Sequence, residues 1–162
     1  MALSNIKFVV CDVDGTLTDG GMYITSEGTH FKRFNTKDGM AVKMLYQNGY
    51  HVGLISHSKT TEMVTERANM LNIKHCYVGR DDKLTILKKW ISELGISLEE
   101  VAFLGDDNND NNVMEHVGVS VCPSDSSKRI LNTADIILER KGGDACLREF
   151  VEEHLGLDYR DL

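Results

Sequence analysis

The stretch that most constrains this chain is Phe8-Val9-Val10-Cys11-Asp12-Val13-Asp14-Gly15-Thr16-Leu17-Thr18-Asp19-Gly20, an apolar run that ends abruptly in carboxylates and glycines. It reads as a buried strand that delivers two acids to the tip of a sheet. Residues two apart on a strand share a face, and a glycine that breaks the strand directly afterwards lets Asp12 and Asp14 converge on one small volume. Carboxylates crowded together there need a cation or a shared proton. An ordinary Asp-containing turn is the plain alternative, but nothing in a turn requires two acids at this spacing.

The rest of the chain alternates strand and helix signals. Residues 22–25, a Ser26-Glu27-Gly28 turn and residues 29–34 predict a β-hairpin where a crossover helix is expected. Asp38 is the expected cap of a helix that carries Met40, Ala41, Met44 and Leu45 on one stripe and stops near Asn48-Gly49. Further strands are predicted at 51–56, 75–78, 101–104, 119–121 and 136–138, and helices at 60–71, 82–94, 111–116, 126–131 and 144–155. Ser97-Leu98-Glu99-Glu100 has the spacing of a capping box ahead of the strand at 101–104, and Trp90 is read as cover for the edge of its helix rather than as a cofactor site. This alternation implies an α/β fold, a doubly wound and mainly parallel sheet with helices on both faces. In such sheets ligands bind at the carboxyl ends of the strands, beside a topological switch point. Asp12 and Asp14, Ser56, and Asp106 with Asp107 all follow apolar strands.

At 162 residues and 41% hydrophobic content, with one Pro and no linker-like composition, the chain is expected to form one globular domain over residues 1–162. A net charge of −7 without a basic stripe argues against a nucleic-acid surface. No signal-peptide pattern opens the chain and no apolar run approaches the length of a membrane span, so a cytoplasmic setting with no membrane partner is expected. Cys11, Cys76, Cys122 and Cys146 form no C-x-x-C pair and are expected to be buried, reduced thiols.

The second acidic cluster is Gly105-Asp106-Asp107-Asn108-Asn109-Asp110. Hard oxygen ligands from Asp12 and Asp106 suit Mg²⁺, which keeps several waters and accepts a phosphate oxygen. Alone, the cluster also fits an Asx-rich turn, and it lacks the alternating ligands and closing Glu of an EF-hand. Ser56 offers a hydroxyl at a strand end, as a turn residue or as a phosphoryl contact. Lys83 at a helix start opposes the helix dipole, which a bound anion or a carboxylate would explain and a solvated surface position would not require.

In order and spacing, Asp12-Val13-Asp14-Gly15-Thr16, Ser56, Lys83, and Gly105-Asp106-Asp107 with Asp110 resemble the four motifs of the haloacid dehalogenase (HAD) superfamily, over almost the whole chain. Leu17-Thr18-Asp19-Gly20-Gly21, the hairpin, Phe34-Asn35-Thr36-Lys37-Asp38-Gly39, and Gly142-Gly143 running into Leu147-Arg148-Glu149-Phe150 are similar to one capless branch of it. That branch contains phosphatases of 3-deoxy-D-manno-octulosonate 8-phosphate and of nonulosonate 9-phosphates, and the tail domain of some acylneuraminate cytidylyltransferases. The resemblance implies a HAD-like Rossmannoid fold without a cap domain and a Mg²⁺-dependent phosphomonoesterase working through an aspartyl-phosphate. It makes Asp12 the nucleophile, Asp14 the acid and then the base, and Asp12, the Asp14 carbonyl and Asp106 the Mg²⁺ ligands. Ser56 and Lys83 would bind the phosphoryl oxygens, Asp107 and Asp110 would orient the loop and Lys83, and Thr36, His57 and Arg67 would meet the substrate.

The resemblance also implies a homotetramer in which a neighbouring subunit helps close the site. Such an assembly would explain Met22, Tyr23, Ile24, Phe31 and Phe34 on so short a hairpin; packing on the chain's own core is the alternative. Ser56-His57-Ser58 departs from the Thr-Gly-Arg usual in the octulosonate phosphatases, which keeps the hydroxyl and leaves a nonulosonate 9-phosphate or another sugar phosphate open. His57 is a substrate contact or a loop residue, and Arg67 a partner for a substrate carboxylate or a surface salt bridge. A non-catalytic oligomerisation domain like the cytidylyltransferase tail would have no need of Asp12, Asp14, Lys83 and Asp106 together. In a signalling receiver domain the paired acids precede the phosphoacceptor strand, so the Asp-x-Asp-Gly-Thr order favours the phosphatase.

Overall fold

In a computed structural model that describes residues 3–160, strand β1 (Phe8–Cys11) lies inside a six-stranded parallel sheet. All four of its residues are fully buried, as an unbroken apolar strand covered on both faces must be. Val9 and Cys11 point into one hydrophobic cluster and Phe8 and Val10 into another. The hairpin follows as β2 (Tyr23–Ile24) and β3 (His30–Phe31), an antiparallel pair outside the main sheet. The remaining strands are β4 (His51–Ser56), β5 (His75–Val78), β6 (Val101–Leu104), β7 (Val119–Cys122) and β8 (Ile136–Ile137).

The strand order is β5-β4-β1-β6-β7-β8. The chain winds outward from β1 through β4 to β5, then crosses back to pair β6 with the other edge of β1. The switch point therefore falls between β1 and β6, where the loops after Cys11 and Leu104 meet. Helices α1 (Thr36–Gln47), α2 (Glu62–Met70) and α6 (Cys146–Glu149) cover the face of Val9 and Cys11. Helices α3 (Lys83–Leu94), α4 (Asn111–Met114) and α5 (Lys128–Thr133) cover the face of Phe8 and Val10. Trp90 packs its ring against Phe8 and His75, with centroids 6.2 and 5.3 Å away, as edge cover. Among the described residues there is no inserted cap, no helix long and apolar enough to cross a membrane, and four free cysteines.

Several helix ends differ from expectation, and the reasons are local. Helix α1 is capped by Asn35, whose side chain accepts from the Lys37 N–H at 2.9 Å, and not by Asp38. Asp38 lies a turn later, buried against α6, where its Oδ1 accepts from the Arg148 N–H at 3.1 Å. Helix α2 is shorter at both ends than 60–71, and the segment expected at 111–116 begins as a 3₁₀ turn, Asn108–Asp110, and stops at Met114. The helix expected at 126–131 runs Lys128–Thr133. The terminal helix begins at Cys146 and continues as a π-helix, Phe150–His154. The box before β6 does close, with Glu100 Oε2 accepting from the Ser97 N–H at 2.8 Å.

On the hairpin, Gly28 takes φ +81° at the turn and Tyr23 stacks on Phe31 at 4.9 Å. Phe34 packs against the chain's own core, whereas Met22, Ile24 and Phe31 are 79%, 54% and 51% exposed.

Burial raises the Asp38 carboxyl from its ordinary value to about 6, against the hydrogen bonds from the Arg148 and Leu147 backbone. The folded state thus holds this proton more tightly than the unfolded chain, so stability falls as pH rises from about 4 to about 6. Unfolding titrations at pH 4 and pH 7 are expected to show Asp38→Asn removing a decline of about 3 kcal/mol; an unchanged pH slope would show that Asp38 is ionised at no cost.

Candidate active site

Asp12 leaves β1 with its N–H donated to the Leu104 carbonyl at 2.8 Å, so the strand pairing itself fixes its position beside the loop after β6. Its carboxylate is almost fully buried and accepts from Lys83 Nζ at 2.5 Å through Oδ1. The same ammonium reaches Asp110 Oδ1 at 2.6 Å, and Lys83 is 1% exposed. The lysine expected either on the surface or against an anion is therefore one of the most buried side chains of the protein. It stands at the first position of α3, below the cap Asp82, whose Oδ2 accepts from the Thr85 N–H.

Asp110 uses its other oxygen to accept from the N–H groups of Asp106 and Asp107 at 3.0 and 3.2 Å, which folds the loop back on itself. Asp107 caps the 3₁₀ turn through the Asn108 N–H. Asp106 Oδ1 accepts from the buried Thr16 hydroxyl at 3.0 Å. Two glycines make room for this crowding. A Cβ on Gly15, which has φ +93°, would run into the Asp106 carboxylate, and a Cβ on Gly105 would come within 2.6 Å of the Asp110 carboxyl carbon. From the far end of the chain, Gly142 and Gly143 lie so close to Gly15, Thr18 and Asp19 that no side chain fits, and the Gly143 N–H donates to the Thr16 carbonyl at 2.9 Å.

Oxygens of Asp12, Asp106 and Asp110 lie within 4.8 Å of one another. Three carboxylates against one ammonium leave two negative charges in a buried space, which a divalent cation would cancel. The electrostatics show the deficit. Burial and then the charge of Asp110 raise Asp12 well above the usual carboxylate range, although Lys83 pulls the other way. The same two causes lift Asp106 to about 6. Burial works against the charge of Lys83, but Asp12 and Asp110 overcome it and raise its pKa. With Lys83 and backbone N–H groups engaging Asp110, the oxygens outside these bonds are Asp12 Oδ2 and Asp106 Oδ2. The donor set fits a hard cation.

Asp14 lies farther out, ion-paired to Lys32 of the hairpin, with its Oδ2 3.4 Å from the hydroxyl of the fully buried Ser56. Ser56 Oγ also accepts from the Ser58 N–H at 3.1 Å. His57 has both ring nitrogens engaged, Nε2 with the Asp81 carbonyl at 2.8 Å and Nδ1 with the Asn109 amide at 3.4 Å. Arg67 donates to the Asn35 carbonyl at 3.1 Å and sits over the Phe34 ring at 5.5 Å, in space that a side chain on Gly39 would occupy. Thr36 is exposed at the start of α1. Neither Thr36 nor Arg67 lines the cavity of about 460 Å³ beside Asp14. Sequence reasoning missed Lys32 and gave Thr16 no contact beyond its place in the motif: a Thr after Asp-Gly and a Lys on a short hairpin carry no signal of the partner each one meets.

A model of the haloacid dehalogenase-like hydrolases matches residues 58–148, and the chain belongs to that family. Among curated relatives, the 3-deoxy-D-manno-octulosonate 8-phosphate phosphatase of Yersinia pestis is 36% identical over 146 residues, 90% of this chain and 78% of the relative. Among solved structures, the phosphatase of the same name from Moraxella catarrhalis, in complex with magnesium, phosphate and KDO, superposes with TM-score 0.90 at 34% identity, covering 95% of this chain and 88% of that one. A cobalt-bound deoxy-D-mannose-octulosonate 8-phosphate phosphatase from Haemophilus influenzae gives TM-score 0.89 at 32% identity, covering 95% and 90%.

Replacing Lys83 by Met leaves Asp12 and Asp110 buried without a counter-charge, and denaturant titration is expected to show a loss of about 3–5 kcal/mol. A loss below about 1 kcal/mol, the scale of a surface pair, would contradict the buried geometry.

Proposed function

We propose that this chain, one domain over residues 1–162, is a Mg²⁺-dependent phosphatase of an acidic sugar phosphate, a 3-deoxy-ulosonate 8- or 9-phosphate. The observation that carries this reading is the buried Asp12–Lys83–Asp110 triad beside Asp106, with Asp14 and Ser56 at its mouth. Lys83 neutralises the Asp12 carboxylate, one oxygen of which attacks phosphorus. As the bond from Asp12 to phosphorus forms, the bond from phosphorus to the sugar oxygen breaks, and Asp14, in its protonated form, gives that oxygen its proton. Water then attacks phosphorus and yields its proton to Asp14 while the bond to Asp12 breaks, which restores both acids. Ser56 and Lys83 hold the phosphoryl oxygens through the two transfers.

Mg²⁺ would be held by Asp12, the Asp14 carbonyl and Asp106, and when bound it offsets the repulsion between carboxylate and phosphate dianion. Support for the substrate class comes from the relatives named above and from the lysines around the cavity. In this reading His57 is a strut that replaces a glycine by tying its loop to Asp81 and Asn109. Thr36 and Arg67 serve a neighbouring subunit of a homotetramer: neither lines the cavity beside Asp14, and Arg67 lines an adjoining one with Phe31, Phe34 and Met63. The exposed Met22, Ile24 and Phe31 form the surface on which that neighbour packs. Four unpaired thiols fit a reducing, cytoplasmic setting.

Phosphate release with Mg²⁺ is to be measured on octulosonate 8-phosphate, nonulosonate 9-phosphates and hexose phosphates. Turnover of an acidic sugar is expected, with Asp12→Asn abolishing it and Asp14→Asn lowering kcat by about 10²–10⁴-fold. A folded oligomer that turns over none of them would favour the oligomerisation domain instead. Light scattering on Phe31→Glu is expected to show a smaller species with reduced kcat/KM; an unchanged mass would remove the hairpin from the interface.

A further inference from the structure

Lys32 is withdrawn from water more completely than the acid it serves. Its side chain is 14% exposed, against 41% for Asp14, although an ammonium on a four-carbon stem normally reaches solvent. It extends from the residue after β3 to Asp14 Oδ1, while the Ser56 hydroxyl stands at Oδ2. Both oxygens of Asp14 are therefore engaged.

The cavity on which these groups open has an unusual lining for a chain of net charge −7. Asp14 is the one carboxylate among its lining residues, set against Lys32, Lys59 and His30, with hydroxyls from Tyr23, Ser58 and Thr60. An anion is the ligand that such walls select. Yet the better placed of the two ammonium groups is already bound to the carboxylate that must reach the leaving oxygen. The two requirements are met together if the Lys32–Asp14 pair opens when substrate enters.

We infer that Lys32 is a specificity-determining residue, whose ammonium exchanges Asp14 for an anionic group on the leaving portion of the substrate; the freed Asp14 carboxylate takes up a proton from solvent and carries it to the sugar oxygen. The inference rests on the phosphatase reading and deepens it. A leaving group with a carboxylate replaces the ion pair it breaks. A neutral sugar breaks the pair without replacement, so part of the selectivity arises as a penalty on the wrong substrate.

The test compares kcat/KM with Mg²⁺ for octulosonate 8-phosphate and N-acetylneuraminate 9-phosphate, as acidic substrates, with that for glucose 6-phosphate, in wild type, Lys32→Met and Lys32→Arg. In Lys32→Met the better acidic substrate is expected to lose and glucose 6-phosphate to gain, so that their ratio falls about tenfold. Lys32→Arg keeps most of the ratio. Parallel losses on both substrates in Lys32→Met, with its circular dichroism unchanged, would give Lys32 a structural role only and overturn the inference, as would an unchanged ratio. Wild-type protein inactive on every substrate would instead sink the phosphatase reading, and this inference with it.

Discussion

The interaction on which the rest depends is the ammonium of Lys83 held between Asp12 and Asp110 with almost no exposure to water. Burying a charge is costly unless it is paired, and here one cation must satisfy two carboxylates from different loops. The triad therefore fixes three elements at once: the end of β1, the start of α3 and the loop after β6. It also explains a lysine at a helix N-terminus, where the dipole disfavours it: the two acids outweigh the dipole. Because Asp106 stands beside the triad, the pocket keeps an excess of negative charge. Burial, and then that excess, raises the pKa of Asp12 and Asp106, and the excess makes the site a receptor for a hard cation.

Topology makes this crowding possible. Pairing β1 with β4 on one edge and β6 on the other leaves the two acid-bearing loops side by side at the point where the winding reverses. The approach is so close that Gly15 and Gly105 cannot carry a side chain, and Gly142 and Gly143 seal the back of the β1 loop. Glycines far apart in sequence thus serve one purpose, the close packing of backbone around carboxylates.

What the sequence made legible follows from what each signal depends on. The unbroken apolar runs of β1 and β6 announced buried strands, and the acids after them announced the site. The cap of α1 was misread because Asn35 and Asp38 both suit an N-terminus, and only the packing of α6 shows that Asp38 is spent on Arg148. The π-helical turn at Phe150–His154 leaves the apolar spacing close to that of an α-helix, so periodicity did not separate the two. Lys83 stayed ambiguous for a different reason: its partners lie 71 and 27 residues away, and no local pattern encodes them.

In this fold without a cap, the hairpin brings the group that engages Asp14. Strands of two residues are not stable alone, so this pair must be held from both sides. Phe31 is half-exposed, the next residue, Lys32, reaches Asp14, and both line the cavity beside it. One step along the chain separates this exposed ring from the group that occupies the acid. The apolar ring and the ammonium are thus carried by one short segment, which sets its charge against Asp14 without covering the site.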